Sequence, residues 1–350
     1  MTSGRRQVIV ICVGVLSLLC YCHLFSSSAL AQRVLRNLRL RSAGWRAYAQ
    51  ESNCPPTTVS RSMNSRLLIL NEIELILVHS GDFVMGDAEH SPELEDVGLE
   101  RVFGRARAAK VTIPYSFYMG VTEVTVGQFR RFVDETGYKT ESERGIGTPA
   151  EGWIVEEKTG NTDRAKFSWR NVGYPQSDDH PVTNVSWNDA KAYCNWLSKK
   201  TSRNARLPSE PEWEFACRAG TTTLTYFGND LSKSGEYANL DQEICEWLGE
   251  GFSGAGSDRF LFASPVKSFK PNPLGLYDMI GNVDELCLAR FEMDGDDFPI
   301  TSPPKMEEDH GLTRLRGGSY WQGSGFASLG TSSHTSISAS VGFRIVVDLE

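Results

Sequence analysis

Apolar positions at the start of the folded region recur at the spacing of short strands. Two runs, residues 67–70 and 75–78, predict short buried strands, and residues 81–82 predict the turn before the apolar stretch 83–86. This pattern predicts a hairpin. The charged, aperiodic residues 87–110 predict a loop.

Residues 115–119 alternate in character and predict a further strand, after which the apolar spacing changes to that of helices. Thr125 is a good N-cap for a helix over residues 126–136, and Gly137 is a good end for it. Ser186, followed by Asp189, predicts the start of a second helix in the same way.

A third helix is predicted after Ser209, because Ser209 and Glu212 have the spacing of a capping box and Gly220 is placed to end the helix. The second and third helices each carry an apolar stripe. These stripes consist of Ala190, Tyr193, Cys194 and Leu197 in the second helix and Trp213, Ala216 and Cys217 in the third. Both cysteines are therefore expected to be core thiols.

The chain after Gly220 has no helical periodicity and is rich in glycine, proline and aromatic residues. Its short apolar runs, at residues 261–262, 274–277 and 342–347, suit short strands between long loops. Short strands and long loops packed against a few helices predict an α+β domain. Loops of this length often carry function, so a site is expected in this half.

The chain has 350 residues and a formal net charge of −8, which suits a large folded domain and disfavours nucleic acid as a partner. The excess carboxylates could bind hard cations.

Residues 1–31 resemble a signal peptide: Arg5 and Arg6 precede an apolar run, and Ala29–Leu30–Ala31 forms a cleavage signal. The protein is therefore expected to be extracytoplasmic, that is, secreted or periplasmic.

The alternative for the leader is an uncleaved anchor over residues 8–25, which would attach the chain to a membrane.

Residues 32–66 contain seven arginines and one acid, and this composition predicts a basic linker. The alternative is a basic helix that lies on anionic lipid. The folded domain is expected over residues 67–350.

Five of the eight cysteines follow the leader, an odd number, so at least one thiol in an exported protein would be unpaired or would pair between molecules. None of the five has C-x-x-C or metal-binding spacing, and the six histidines are scattered. A zinc hydrolase is therefore disfavoured.

Oxygen-bearing side chains lie beside glycines in the loop-rich half: Asn239, Asp258, Asp278 and Glu285. Residues 278–285 could wrap backbone carbonyls and a carboxylate around one cation, as calcium requires. A plain turn is the alternative interpretation. Farther on, Gly317 and Gly318 precede Ser319 and two aromatics, which lets the backbone approach a neighbour and form one wall of a pocket.

Eight segments together resemble the formylglycine-generating enzyme family, also called sulfatase-modifying factors. They are residues 83–86, 118–125, 181–187, 206–220, 272–279, 281–283, 316–320 and 342–344, in the order seen in that family. The resemblance implies a compact domain with a C-type-lectin-like fold, little regular secondary structure and structural calcium. One calcium site would use the Asn239 and Asp258 side chains with the Leu240 and Phe260 carbonyls. The other would use the Asp278, Gly281 and Val283 carbonyls with the Glu285 side chain.

Active members of the family convert a protein cysteine to formylglycine with oxygen and a copper ion held by two cysteines. This chain has Gln322 and Ala327 at the two positions, and neither an amide nor a methyl group supplies the soft thiolate that Cu(I) requires. Neither Cys245 nor Cys287 can be carried over to a ligand position. Copper is therefore not expected, and no catalytic residue is assigned.

The resemblance thus favours a pseudoenzyme: a binding or accessory module for an unknown peptide, protein or small-molecule ligand. The candidate ligand-binding residues near the former substrate groove are Tyr320, Trp321, Gln322 and His334. The alternatives are that these aromatics belong to the core and that His334 is simply solvated. A second hypothesis is an oxidoreductase, or another protein-modifying enzyme, that uses a different ligand set.

Overall fold

A computed structural model describes eleven segments between residues 66 and 349. They are residues 66–86, 108–146, 167–223, 225–229, 233–240, 260–288, 297–298, 300–306, 312–321, 330–333 and 337–349. All belong to a compact unit, Arg61–Glu350. The predicted leader, the linker up to residue 65 and most of the predicted loop 87–110 lie outside the described residues. No helix within these segments has the length and apolar character of a membrane span.

The central sheet has five strands and draws on both ends of the domain. It contains β1 (Leu67–Leu70), β2 (Ile73–Val78), β5 (Phe117–Gly120), β6 (Ala205–Arg206) and β12 (Val346–Asp348), in the order β1-β2-β5-β12-β6. Every neighbouring pair is antiparallel. The last described strand, β12, therefore lies inside the sheet, between β5 and β6.

A hairpin does form, but β1 and β2 make it, with Asn71 and Glu72 as its two-residue turn; the predicted turn at residues 81–82 is wrong. Both turn residues have positive φ, as a type I′ turn requires. Two details of the prediction are wrong. Gly81–Met85 is itself a strand and not a turn followed by a strand. β1 lies at the sheet edge with exposed Leu67 and Ile69, because no described strand pairs with its outer side.

The described residues form two smaller sheets besides the central one. The three-stranded sheet contains β3 (Gly81–Met85), β4 (Ala109–Ile113) and β8 (Asp297–Phe298), so the predicted loop gives way to a strand at residue 109. The four-stranded sheet contains β7 (Asp284–Cys287), β9 (Leu312–Arg316), β10 (Gly330–Ser333) and β11 (Val341–Gly342), in the order β10-β9-β7-β11.

Three helices begin where their caps predict. They are α1 (Val126–Thr136), α2 (Trp187–Thr201) and α3 (Glu210–Arg218). A 3-10 turn, Ser142–Arg144, lies between α1 and α2, and the short helix α4 (Ser234–Tyr237) follows α3. Thr125, Ser186 and Ser209 each complete a capping box. Gly137 ends α1 in the left-handed conformation, whereas Ala219, not Gly220, is the C-cap residue of α3.

The core occupies both faces of the central sheet, because successive side chains of a strand point to opposite faces. Leu75 and Val347 face α1 and α2, whereas Met119 and Val346 face α3. Cys194 and Cys217 are buried on their helical stripes, as predicted. The fold is α+β, as the sequence predicts.

Candidate functional site

The glycine pair at residues 317–318 brings two distant loops together. Gly317 and Gly318 have φ of 92° and 71°. The Gly281 N–H donates to the Gly317 carbonyl at 3.0 Å, and the Tyr320 N–H donates to the Asn282 carbonyl at 3.0 Å. A Cβ atom on Gly317 would lie 3.1 Å from Cζ2 of Trp213, so a larger residue would crowd the indole.

The Tyr320 ring belongs to a buried aromatic cluster. Tyr174 and Phe262 stack with centroids 4.3 Å apart, and the Tyr320 ring meets both edge-on at 6.3 and 6.0 Å. The Tyr320 hydroxyl donates to the Ala339 carbonyl at 3.4 Å. Tyr320 is thus buried in this cluster, and the half-buried Trp321 packs against it. Gln322, Ala327 and His334 lie outside the described residues, the first two in the connection between β9 and β10.

The thiols that the structure describes are all in the core. Cys194, Cys217 and Cys287 are free and have no exposed surface. Burial raises the pKa of each thiol far above its ordinary value. Among these three cysteines there is no accessible thiolate for a soft metal. Cys54 and Cys245 lie outside the described residues.

Asn282 joins the loops beneath the glycine pair. Its side-chain oxygen accepts from the Ser264 N–H at 2.8 Å and from Nδ2 of Asn239 at 3.3 Å. Its own Nδ2 donates to Oε1 of Glu123 at 3.0 Å. Asn282 has φ of 64°, a left-handed conformation that asparagine tolerates better than most residues. One side chain therefore holds three segments together.

Glu285 is fully buried in an ion pair with Arg344. The Arg344 Nε and Nη2 atoms donate to the two carboxylate oxygens of Glu285, each at 2.6 Å. Nε1 of Trp213 donates to Oε2 of Glu285 at 2.7 Å. Both oxygens therefore already accept hydrogen bonds.

Asp278 and Glu123 each present a carboxylate oxygen without a hydrogen-bond partner. Oδ1 of Asp278 and Oε2 of Glu123 are both buried and unpartnered among the described residues. Oδ2 of Asp278 accepts from the Lys267 N–H at 2.9 Å. Burial raises the pKa of Asp278 to about 6, and burial followed by the charge of Asp278 raises the pKa of Glu123 well above its usual range.

The hydrogen-bond partners of Asp278 and Glu285 indicate how well each side chain could bind calcium. Asp278 suits a hard cation, because it offers a buried oxygen that nothing described here satisfies. Glu285 suits one less well, since Arg344 and Trp213 take both of its oxygens. No three His, Cys, Asp or Glu side chains converge as a metal cluster in the described part of the chain. Any cation here would need backbone carbonyls or water as further ligands.

The other implied site is only partly described, because Asp258 lies outside. Nδ2 of Asn239 donates to the Phe262 carbonyl at 2.9 Å, and Leu240 and Phe260 are half-buried. The Asn239 carbonyl accepts from the Asn282 N–H at 2.8 Å, so the loops of the two implied sites are adjacent.

Glu123, Asn282 and Arg344 are residues of this site that the sequence patterns did not predict. All three lie within the motif segments that carry the family resemblance. The sequence did not show that they are buried, and burial of a polar or charged side chain is costly without partners.

The fold and site define an α+β domain whose glycine-bent loop covers a buried cluster of carboxylates and one arginine. The family described as "Sulfatase-modifying factor enzyme 1-like domain" matches residues 65–349. The chain belongs to this family, as the sequence motifs predict.

Among relatives, the formylglycine-generating enzyme of Mus musculus is 35% identical over 264 residues, covering 70% of this chain and 64% of the relative. This chain therefore spans less than two thirds of that protein. The "Inactive C-alpha-formylglycine-generating enzyme 2" of Bos taurus is 31% identical over 275 residues, covering 70% of this chain and 81% of the relative. The solved structure of PvdO from Pseudomonas aeruginosa superposes with a TM-score of 0.59 at 26% identity, covering 79% of this chain and 95% of that one.

Proposed function

We propose that this protein is a non-oxidising member of its family that binds a polypeptide segment beside Trp321. The observation that carries the proposal is the residue pair at the copper positions, Gln322 and Ala327, neither of which has a thiol. The burial of Cys194, Cys217 and Cys287 supports it, because none of these thiols can replace the missing ligands from the core.

One of the relatives supports the absence of oxidation. One relative that is 31% identical over 275 residues is described as inactive, so family membership alone does not imply oxidation. The half-buried Trp321, on a rigid aromatic wall, supplies the kind of surface that side chains of a peptide can pack against.

Calcium would have a structural role in this proposal, and the protein would act outside the cytoplasm. The unpartnered Oδ1 of Asp278 and the neighbouring loop at Asn239 are the features that favour hard cations. Bound calcium would join loops that share few regular hydrogen bonds. The leader at residues 1–31 supports export.

The first test offers the purified protein Cu(I), oxygen and a cysteine-containing sulfatase-motif peptide, with an active family oxidase as positive control. We expect no formylglycine by mass spectrometry and no tight Cu(I) binding. The double variant Q322C/A327C should gain Cu(I) affinity, since it restores both thiolates. Formylglycine formed by the wild type at a rate near that of the oxidase would overturn the proposal.

The second test measures binding of the same peptide, fluorescently labelled, by anisotropy. We expect saturable binding that Trp321→Ala weakens by about tenfold, as the loss of an aromatic anchor does. Trp196→Ala serves as the control, because Trp196 lies on α2. Equal loss in both variants, or no binding by the wild type, would contradict a peptide site at Trp321.

A further inference from the structure

Strand β1 forms an open edge of the central sheet. It pairs with β2 on one side, and no described strand pairs with its other side. The Leu77 N–H donates to the Arg66 carbonyl at 2.8 Å. Hydrogen bonding alternates along an antiparallel strand, so Arg66 and Leu68 direct their backbone groups toward β2. Leu67 and Ile69 therefore direct their N–H and carbonyl groups to the open side.

The same two residues also expose their side chains. Leu67 is 48% exposed and Ile69 is 65% exposed, whereas Leu68 and Leu70 pack against the core beside α1 and α2. Charged residues, prolines and bulges are the features that usually keep a free edge from pairing. The four residues of β1 include no charge and no proline, and their register with β2 is unbroken. This edge is therefore unprotected against another strand.

The opposite edge of the same sheet has different properties. It is formed by β6, which has two residues, Ala205 and Arg206, and both are buried. Outward backbone groups and exposed apolar side chains thus coincide at β1 and not at β6. A partner strand would gain backbone hydrogen bonds and apolar contacts together at β1.

Opposite charges lie at the two ends of β1. Arg66 precedes the strand, and Glu72 belongs to the turn that follows it. Glu72 pairs on the surface with Arg131 of α1, yet 72% of its side chain stays exposed. If a second β1 lay antiparallel to the first, each positive end would meet a negative end, whereas a parallel strand would bring like charges together. The charges of this edge are therefore complementary to those of a second copy.

We propose that the protein forms a two-fold symmetric dimer in which β1 pairs antiparallel with β1 of a second copy. Leu67 lies opposite the partner's Ile69, because this register joins the outward backbone groups of both strands. The exposed side chains of Leu67 and Ile69 from both copies then cover one another on one face. Arg66 lies diagonal to the partner's Glu72, a separation that long side chains can span.

The pairing makes one continuous sheet out of two central sheets. A single short strand pair covers less area than a standard protein interface of about 1,600 Å². The dimer is therefore weak, and its population depends on the protein concentration. This inference goes beyond the peptide binding proposed at Trp321 and does not depend on it.

The first test measures the monomer–dimer equilibrium of the full chain by sedimentation velocity, from about 1 to 300 µM. We expect reversible dimerisation. Ile69→Lys should raise the dissociation constant at least about tenfold, because two-fold symmetry introduces the charge into the apolar contact twice. Leu261→Lys is the matched control, since Leu261 is 59% exposed and lies outside β1. It should leave the dissociation constant unchanged.

A charge exchange tests the orientation of the two strands. Arg66→Glu and Glu72→Arg should each weaken the dimer at least about threefold, because each places like charges at both ends of the strand pair. The double variant R66E/E72R should recover most of the affinity, since it restores both pairs with reversed sign. Melting temperatures show that each variant is folded. A double variant weaker than either single variant would contradict the antiparallel arrangement.

Hydrogen exchange of the peptide that contains Leu67 and Ile69 distinguishes a second copy from a segment of the same chain. We expect its protection to increase with protein concentration, and Ile69→Lys to remove this increase. Protection that is equal at every concentration would overturn the proposal, because the chain's own segment would then cover β1. A wild type that stays monomeric, or a dimer that Ile69→Lys leaves intact, would overturn it as well. So would a series of larger species, since a two-fold contact uses each edge once.

Discussion

Gly281 lies where a side chain would collide with a neighbouring loop. Its φ is 78°, and a Cβ atom there would overlap the Asn239 carbonyl and lie 3.0 Å from Cδ2 of Leu240. Gly137, at the end of α1, has a similar φ of 66° but no atom within 4 Å of the same position. The two residues share a backbone conformation and differ in their surroundings.

This difference predicts unequal costs for one substitution. Gly137→Ala should destabilise the protein by about 1–2 kcal/mol, the cost of a left-handed alanine. Gly281→Ala should cost at least about 2 kcal/mol more, because the Asn239 loop must also move. Urea unfolding of both variants measures the two free energies. Equal losses would mean that the loop yields freely and that the close contact is unimportant.

At the scale of elements, helix α3 is tied to the central sheet by a buried ion pair. Arg206 of β6 donates to both oxygens of Glu212 at 2.8 and 2.7 Å, and to Asp348 of β12 at 2.9 Å. Arg206 is 1% exposed. The pair therefore joins a helix to two strands of the sheet.

We expect Arg206→Met to lower the free energy of unfolding by about 3–5 kcal/mol, because it leaves Glu212 buried and unpaired. Arg130→Met is the matched control. Arg130 pairs with Asp178 on the surface, so its loss should cost less than about 1 kcal/mol. Denaturant titration compares the variants. If both cost the same, the buried pair does not hold α3.

The pH dependence of that difference provides a second check. Burial acts to raise the pKa of Glu212, but Arg206 and its hydrogen bonds outweigh burial and lower it below its usual 4.5. A lowered carboxyl pKa stabilises the fold above pH 4.5, and this stabilisation is lost as the pH falls through the lowered value. Without Arg206, burial raises the pKa of Glu212, so the gap between wild type and Arg206→Met should be largest above that raised pKa and shrink as the pH falls toward the lowered wild-type value.

At the scale of the whole molecule, the described core is contained in one compact unit, Arg61–Glu350. The family match begins at residue 65 and ends at residue 349. We expect a fragment of residues 61–350 to unfold cooperatively with the melting temperature of a chain that starts at residue 32, within about 2 °C, because its core is its own. Differential scanning calorimetry compares the two. A lower or broader transition would show that residues 32–60 contribute to the fold.

The helices were predictable because their signals are local. Thr125, Ser186 and Ser209 each lie three residues before the group that completes the cap. The strands β7 and β9 were not predicted, and neither were the partners of β12, since strands of three to five residues form through segments far along the chain. Val346 pairs with Met119, for example, and no local pattern states that pairing.

The sequence by itself determined the capped helices, the α+β class, the family and the absence of thiols at residues 322 and 327, because propensity, motif order and ligand chemistry belong to the residues themselves. Only the tertiary structure decided which buried charges meet. It pairs Glu285 with Arg344, 59 residues away, and among the described residues it gives Glu123 and Asp278 no hydrogen bond from a lysine or arginine side chain. The partner of a buried charge depends on packing between distant segments, which spacing along the chain does not record.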